Sequence, residues 1–84
     1  MKEALSVQKE LFEFSAEMNK ILKENDKEKG DSWKYMPIKE LLGILNSHYE
    51  RLVDAIYRED EASIMDESID TANMCMMIYT KSTT

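Results

Sequence analysis

Apolar side chains recur along this chain at intervals of three and four residues, in three separate stretches. This spacing is typical of amphipathic α-helices, because residues three and four apart lie on one helix face. The pattern predicts helices over residues of about 5–24, 37–58 and 62–80. Residues 25–32 are polar and without period, which predicts a loop that extends over residues 25–36 to the second helix. We therefore expect an all-α fold with three main helices and no strands, in a single domain over residues 1–84.

The second predicted helix has the most regular apolar stripe of the chain. It begins at Pro37 or Ile38, since proline suits the first helical position, and it ends near Arg58. The stripe consists of Ile38, Leu41, Leu42, Leu45, Tyr49, Leu52, Val53 and Ile56. One face of this helix is therefore predicted to be buried.

The third predicted helix is apolar on more than one side. One stripe consists of Met65, Ile69, Ala72, Met76 and Tyr79, and a neighbouring one of Ile64, Ser68, Cys75 and Ile78. Three short helices cannot cover so wide an apolar surface. We therefore expect a homo-oligomer that pairs the second and third helices into a larger bundle, with Cys75 as a buried, reduced thiol. The methionines of this helix predict either a deformable interface or a tolerant ligand pocket.

Charge and composition narrow the classes of partner. The 84 residues include 17 acidic and 11 basic side chains, for a formal charge of −6, which argues against a nucleic-acid partner. An anionic small ligand would need a local cation or a metal. No apolar run is long enough to span a membrane, and the first residues have no apolar signal-peptide core. We expect a cytoplasmic protein with no membrane contact.

Two acidic residues of the third helix have a spacing that suits a metal. Glu67 and Asp70 are three residues apart, so they share a helix face, and paired carboxylates suit a hard cation such as Mg²⁺. The same spacing also arises on the solvated face of an acidic helix. The pattern alone leaves both interpretations open.

Several short motifs, in order along the chain, give it a likeness to a known family. They are Leu11-Phe12-Glu13-Phe14, Gly30-Asp31-Ser32-Trp33-Lys34, Asp54-Ala55-Ile56, Arg58-Glu59-Asp60, Glu67-x-x-Asp70 and Ala72-Asn73. Together they resemble the MazG-like branch of the all-α NTP pyrophosphatases, over roughly Leu11 to Ile78. The resemblance implies a helical bundle completed by homo-oligomerisation. It also implies Mg²⁺-dependent cleavage of nucleotides between the α- and β-phosphates.

The resemblance implies a metal site that this chain carries only in part. Family members hold Mg²⁺ with an E-E-x-x-E motif on one helix and an E-x-x-D motif on the next. Glu67 and Asp70 match the second motif, whereas the acids of the first fall on Ser47, His48 and Arg51. Two-metal catalysis needs enough carboxylates to hold two dications close together. We therefore expect weak or absent Mg²⁺ binding and no cofactor, unless Glu50 and Asp54 join Glu67 and Asp70 in the site.

Five residues are the candidate ligand contacts. Arg51 is the expected phosphate-binding cation, which would bind the ligand through bidentate hydrogen bonds. Alternatively, Arg51 and His48 neutralise the carboxylates of Glu67 and Asp70. His48 is alternatively a core-edge residue, and Asn73 is a nucleotide contact or a packing amide. Trp33 either stacks on a base, with Lys34 beside it for phosphate, or closes the end of the bundle.

Three functions follow from these residues and from the resemblance. The first is binding of a nucleotide, or of a nucleotide-derived signal, without hydrolysis, as a phage-encoded sponge would do. The second is a Mg²⁺-dependent nucleoside triphosphate diphosphohydrolase with an unusual ligand set. The third is a structural oligomer whose site is inert.

Overall fold

The computed structural model describes residues 2–83, with side chains described for residues 7–27 and 30–83. Helix α1 spans Lys2–Lys29, α2 spans Ile38–Tyr57 and α3 spans Glu61–Ser82, and a short 3₁₀-helix spans Ser32–Tyr35. No strand occurs within residues 2–83. The prediction of an all-α fold with three main helices is confirmed. None of the described helices is long and apolar enough to cross a membrane.

Helix α1 is longer than its apolar periodicity predicts. The predicted loop over residues 25–36 is wrong for its first part, because α1 continues to Lys29, and Ser32–Tyr35 is also helical. Charged residues such as Lys27 favour helix even where no core is near. Helix α1 ends at Gly30, whose φ of 57° breaks the helix and whose N–H donates to Asp26 O at 3.0 Å. The apolar stripe of α1 ends near Leu22, whereas the helix itself continues to Lys29.

Helices α2 and α3 form a hairpin that holds most of the tertiary contacts. Its turn is a Schellman motif, in which Asp60 N–H donates to Ala55 O and Glu59 N–H to Ile56 O. Glu59 has a φ of 53°, a left-handed conformation that favours glycine. The Asp60 carboxylate then caps α3 by accepting from the Ser63 backbone N–H and hydroxyl. These bonds fix the register of α3 against α2.

The cap at Asp60 gives a stability prediction. Hydrogen bonds from Ser63 hold the pKa of the Asp60 carboxyl below its ordinary value of 3.8. Its contribution to stability is therefore fully present above pH 3.8 and is lost as the pH falls through the lowered pKa. We expect Asp60→Ala to lower the urea midpoint at pH 7, with a smaller difference from the unsubstituted chain at pH 3. Asp60→Asn keeps the capping acceptor, so it should lose much less at pH 7; an equal loss would contradict the cap.

The core of the single chain is small. The buried apolar side chains among the described residues are Leu41, Ala55, Ile69 and Met74. Helix α1 packs on α3, and its N-terminal half leaves Leu11 and Phe12 exposed. The radius of gyration is 14.2 Å, whereas a compact chain of this length has about 12 Å. The described chain is therefore more open than a self-sufficient domain.

Large apolar side chains remain exposed on α2 and α3. The exposed members of the α2 stripe are Ile38, Leu42, Tyr49 and Ile56, and those on α3 include Met65 and Tyr79. Cys75 is also exposed, so the prediction that its thiol is buried is wrong for the single chain, because none of the described helices covers its face of α3. The chain exposes 6756 Å² of surface. A compact protein of 9.8 kDa exposes about 5,200 Å².

Candidate functional site

A cavity of about 420 Å³ lies between the end of α1, the 3₁₀-helix and the α2–α3 hairpin. Its apolar wall consists of Leu22, Trp33, Met36, Leu41, Ile44, Met74, Met76 and Met77. Its polar lining includes Lys23, Asn25, Asp26, Asp31, Ser32, Lys34, His48, Asp70 and Asn73. An apolar cavity of this size with a few convergent polar groups has the properties of a small-molecule site.

Asn73 is the buried polar side chain of this cavity. It is 4% exposed, and its Nδ2 donates to the α1 carbonyl of Met18 at 3.4 Å. Its Oδ1 has no hydrogen-bond partner among the described residues. A buried acceptor without a partner costs about 1–3 kcal/mol, so native structures seldom keep one without a reason. A ligand that donates a hydrogen bond to Oδ1 would remove this cost.

Trp33 and Lys34 reach the cavity from the 3₁₀-helix. The segment is held to α3 by Lys81, whose Nζ donates to Lys34 O at 2.7 Å. The Lys34 ammonium lies 5.9 Å from the centre of the Trp33 ring and 3.7 Å from Asp31 Oδ2. An exposed ion pair of this length is weak, so Lys34 can turn toward an anion at little cost.

His48, Glu67 and Asp70 form a cluster between α2 and α3. His48 Nδ1 lies 2.9 Å from Glu67 Oε1 and 3.7 Å from Asp70 Oδ2. One donor atom from each of the three residues lies within 4.8 Å of the others, a grouping that could hold a metal ion. The three side chains are only part-exposed, so the interaction is stronger than it would be on an open surface.

Burial raises the pKa of the Asp70 carboxyl above its ordinary value. The nearby carboxylates of Glu67 and Asp66 act in the same direction, and His48 acts against them. The charged form of Asp70 is therefore less favourable here than in water. A cation bound beside Asp70 would relieve this penalty.

The remaining predicted site residues lie outside this cluster. Arg51 is exposed, does not line the cavity, and forms no ion pair with any side chain in the described part of the chain. Asp54 is exposed and its Oδ2 pairs with Arg58 Nε at 2.8 Å, while Glu50 is also exposed. The Ser47 hydroxyl donates to Gly43 O.

The predicted site residues thus fall into two groups. The structure brings together at the cavity Trp33, Lys34, His48, Asp70 and Asn73, with Glu67 beside it. It leaves apart from the cavity Arg51, Glu50 and Asp54.

Lys23 is a further cation at the cavity. Lys23 lines the cavity from α1, next to Leu22. No motif or spacing marks it, because its role depends on the angle at which α1 packs on α3. Of the third-helix methionines, Met74, Met76 and Met77 line the cavity and Met65 is exposed.

A second hollow, of about 650 Å³, lies along α1 and α3. Its charged lining is acidic throughout, with Glu10, Glu13, Glu17, Asp66 and Asp70. A phosphate would be repelled there, whereas the first cavity has two lysines beside its three aspartates. For an anionic ligand the first cavity is therefore the better candidate.

Comparisons with protein-family models, with curated proteins and with solved structures found no match in any of the three.

Proposed function

We propose that this protein binds a nucleotide, or a nucleotide-like signal, in the 420 Å³ cavity without hydrolysing it. The observation that carries the proposal is a cavity lined by Trp33, two lysines and Asn73, whose buried Oδ1 has no hydrogen-bond partner among the described residues. A base would stack on Trp33 and donate a hydrogen bond to Oδ1, while its phosphates would lie toward Lys23 and Lys34. We propose that the bundle is MazG-like and that the protein acts in the cytoplasm by sequestering its ligand.

We expect no hydrolysis because too few acidic side chains are placed to hold two metal ions. Among the described residues, Glu67 and Asp70 are the two acids of the group that could hold a metal, and His48 already lies against both. Glu50 and Asp54 are exposed on α2 outside this cluster. Two carboxylates and an imidazole provide too little negative charge to hold two Mg²⁺ ions a few ångströms apart.

Trp33 provides the direct test of the proposal. It is the single tryptophan of the chain, so its fluorescence reports on this cavity alone. Titration with nucleoside mono-, di- and triphosphates, with and without Mg²⁺, should change the emission for at least one nucleotide. Chromatography of the same samples should then show intact nucleotide and no pyrophosphate. Emission that no nucleotide changes would refute the proposal.

Lysine variants give a matched test of the anion contact. Lys34→Ala should weaken nucleotide binding about tenfold, because it removes one charge-assisted hydrogen bond. Lys39→Ala makes the same change of charge at an exposed position outside the cavity and should leave the affinity unchanged. An equal loss in both variants would mean that overall charge, not the Lys34 contact, controls the affinity.

Arg51→Ala tests the cation that the sequence favours. Arg51 lies outside the cavity of the single chain, so we expect its removal to leave the affinity within about twofold. A loss of one to two orders of magnitude would show that Arg51 contacts the ligand, as its phosphate-binding chemistry predicts. Such a loss would place Arg51 at the cavity of a second copy. Circular dichroism checks that the helices are intact.

A diphosphohydrolase is the second candidate function, and the cluster of His48, Glu67 and Asp70 is the observation that favours it. One ion in this cluster could polarise a phosphate or a water. Release of pyrophosphate in the presence of Mg²⁺ or Mn²⁺, abolished by Glu67→Gln, would establish this activity in place of sequestration.

We also propose that the protein is a homo-oligomer formed through the exposed stripe of α2, defined by Ile38, Leu42, Tyr49 and Ile56. The surface of the chain exceeds that of a compact monomer by roughly 1,600 Å², about twice what one partner gives to a standard interface. An oligomer that forms but binds no nucleotide would favour the third function, a structural role with an inert site.

A further inference from the structure

The cluster of His48, Glu67 and Asp70 differs in chemistry from an all-carboxylate magnesium site. We propose that it binds one first-row transition-metal dication, represented by Zn²⁺, through His48 Nδ1 and one oxygen from each carboxylate. The site would join α2 to α3 and keep at least one coordination position toward the cavity that His48 and Asp70 line. The proposal goes beyond nucleotide binding and does not depend on it.

The positions of the three donor atoms fit such an ion. In tetrahedral geometry, with bonds of about 2.1 Å, neighbouring ligand atoms lie about 3.4 Å apart. Nδ1 of His48 lies 2.9 Å from the Glu67 oxygen and 3.7 Å from the Asp70 oxygen, on either side of this value. The Glu67 and Asp70 oxygens lie within 4.8 Å of each other, so side-chain shifts of about an ångström would bring all three donors to coordinating positions.

The kind of donor selects the kind of ion. Neutral imidazole suits Zn²⁺ and its first-row neighbours, whereas Mg²⁺ requires near-octahedral oxygen ligands and gives up its waters reluctantly. One imidazole and two carboxylates therefore favour a single Zn²⁺-like ion over Mg²⁺. Mg²⁺ should still bind weakly or not at all.

Asn73 is a buried polar side chain one helical turn from Asp70 on α3. It lies on the same face of α3 as Asp70 and lines the same cavity. Its buried Oδ1 lacks a partner among the described residues. A water or hydroxyl on the open coordination position of the ion would supply a hydrogen-bond donor for such an acceptor.

The chain is well suited to a clean binding experiment. His48 is its single histidine, and the exposed thiol of Cys75, which could bind Zn²⁺ by itself, can be removed with Cys75→Ser. Chelator-treated Cys75→Ser protein should bind one equivalent of Zn²⁺ in calorimetry, in the presence of millimolar Mg²⁺. Co²⁺ in the same protein should give the intense visible absorption of a four-coordinate ion.

Three further substitutions in the Cys75→Ser background locate the ion. His48→Ala and Asp70→Asn should each weaken Zn²⁺ binding about 100-fold or more, since even the outer partners of metal ligands contribute 10–100-fold. Glu50→Gln removes an exposed acid of α2 outside the cluster and should leave Zn²⁺ affinity unchanged. Failure of the Cys75→Ser protein to bind one equivalent, or undiminished binding by His48→Ala, would overturn the proposal.

The ring resonances of His48 keep the proposal testable if a substituted chain does not fold. Because the chain contains one histidine, its ring proton and carbon signals are assigned without ambiguity. Saturating Zn²⁺ should shift them in the Cys75→Ser protein. Unmoved ring signals at one bound equivalent would place the ion elsewhere and would overturn the proposal.

Discussion

Replacing Tyr49 with lysine should dissociate the proposed homo-oligomer, weakening self-association by about a thousandfold. Tyr49 is 55% exposed in the single chain and lies in the middle of the α2 stripe, so lysine costs the monomer little. In a two-fold symmetric interface the substitution occurs twice. Burying two unpaired ammonium groups, at about 2 kcal/mol each, gives about 4 kcal/mol, or three orders of magnitude. Sedimentation velocity across a dilution series measures the effect.

The control for this experiment is Tyr57→Lys. Tyr57 is 85% exposed near the end of α2, outside the stripe, and the chemical change is the same. Both substitutions make the chain of charge −6 less acidic, so general repulsion between copies falls in both variants. Dissociation by Tyr49→Lys alone would therefore locate the interface. An unsubstituted chain that sediments as a monomer at tens of micromolar would refute the oligomer.

The three helices could be predicted from the sequence because each one has apolar residues at intervals of three and four. The sequence predicts the α2–α3 hairpin most clearly, because α2 contains the most regular apolar stripe and the acidic turn after it is short. The end of α1 could not be placed, because the helix continues through residues 25–27, whose side chains are all exposed, and ends only at Lys29. The helix ends at Gly30, which has a positive φ, and the spacing of apolar residues gives no information about this position.

The candidate site could be predicted only where local spacing determines it. Glu67 and Asp70 share a face because they are three apart on α3, and the structure places them together. Whether His48 or Arg51 faces them depends on the rotation of α2 about its axis, which the interface with α3 sets. The structure turns His48 inward and leaves Arg51 exposed. The position of Lys23 at the cavity depends on the angle at which α1 packs on α3, and no local sequence pattern determines that angle.

Replacing His48 with glutamate should make the fold depend on a hard cation. Glutamate at this position would face Glu67 and Asp70, whose side chains are 12% and 31% exposed, and three carboxylates would then repel one another. Loss of the existing pair together with this repulsion should lower the Tm in chelator by about 10 °C. Three carboxylates provide the oxygen donors that Mg²⁺ prefers. Mg²⁺ at ten times its dissociation constant should then restore about 1.4 kcal/mol of stability.

His48→Gln separates the effect of the added charge from loss of the imidazole. It removes the ring without adding a carboxylate, so its Tm should fall less, and Mg²⁺ should not raise it. The unsubstituted chain should likewise show no change in Tm with Mg²⁺, because its cluster contains only two carboxylates. Thermal melts of the three proteins, in chelator and in millimolar Mg²⁺, measure each of these differences. If His48→Glu gains no response to Mg²⁺, position 48 does not face Glu67 and Asp70, and both the cluster and the alignment that places a metal-binding acid there are wrong.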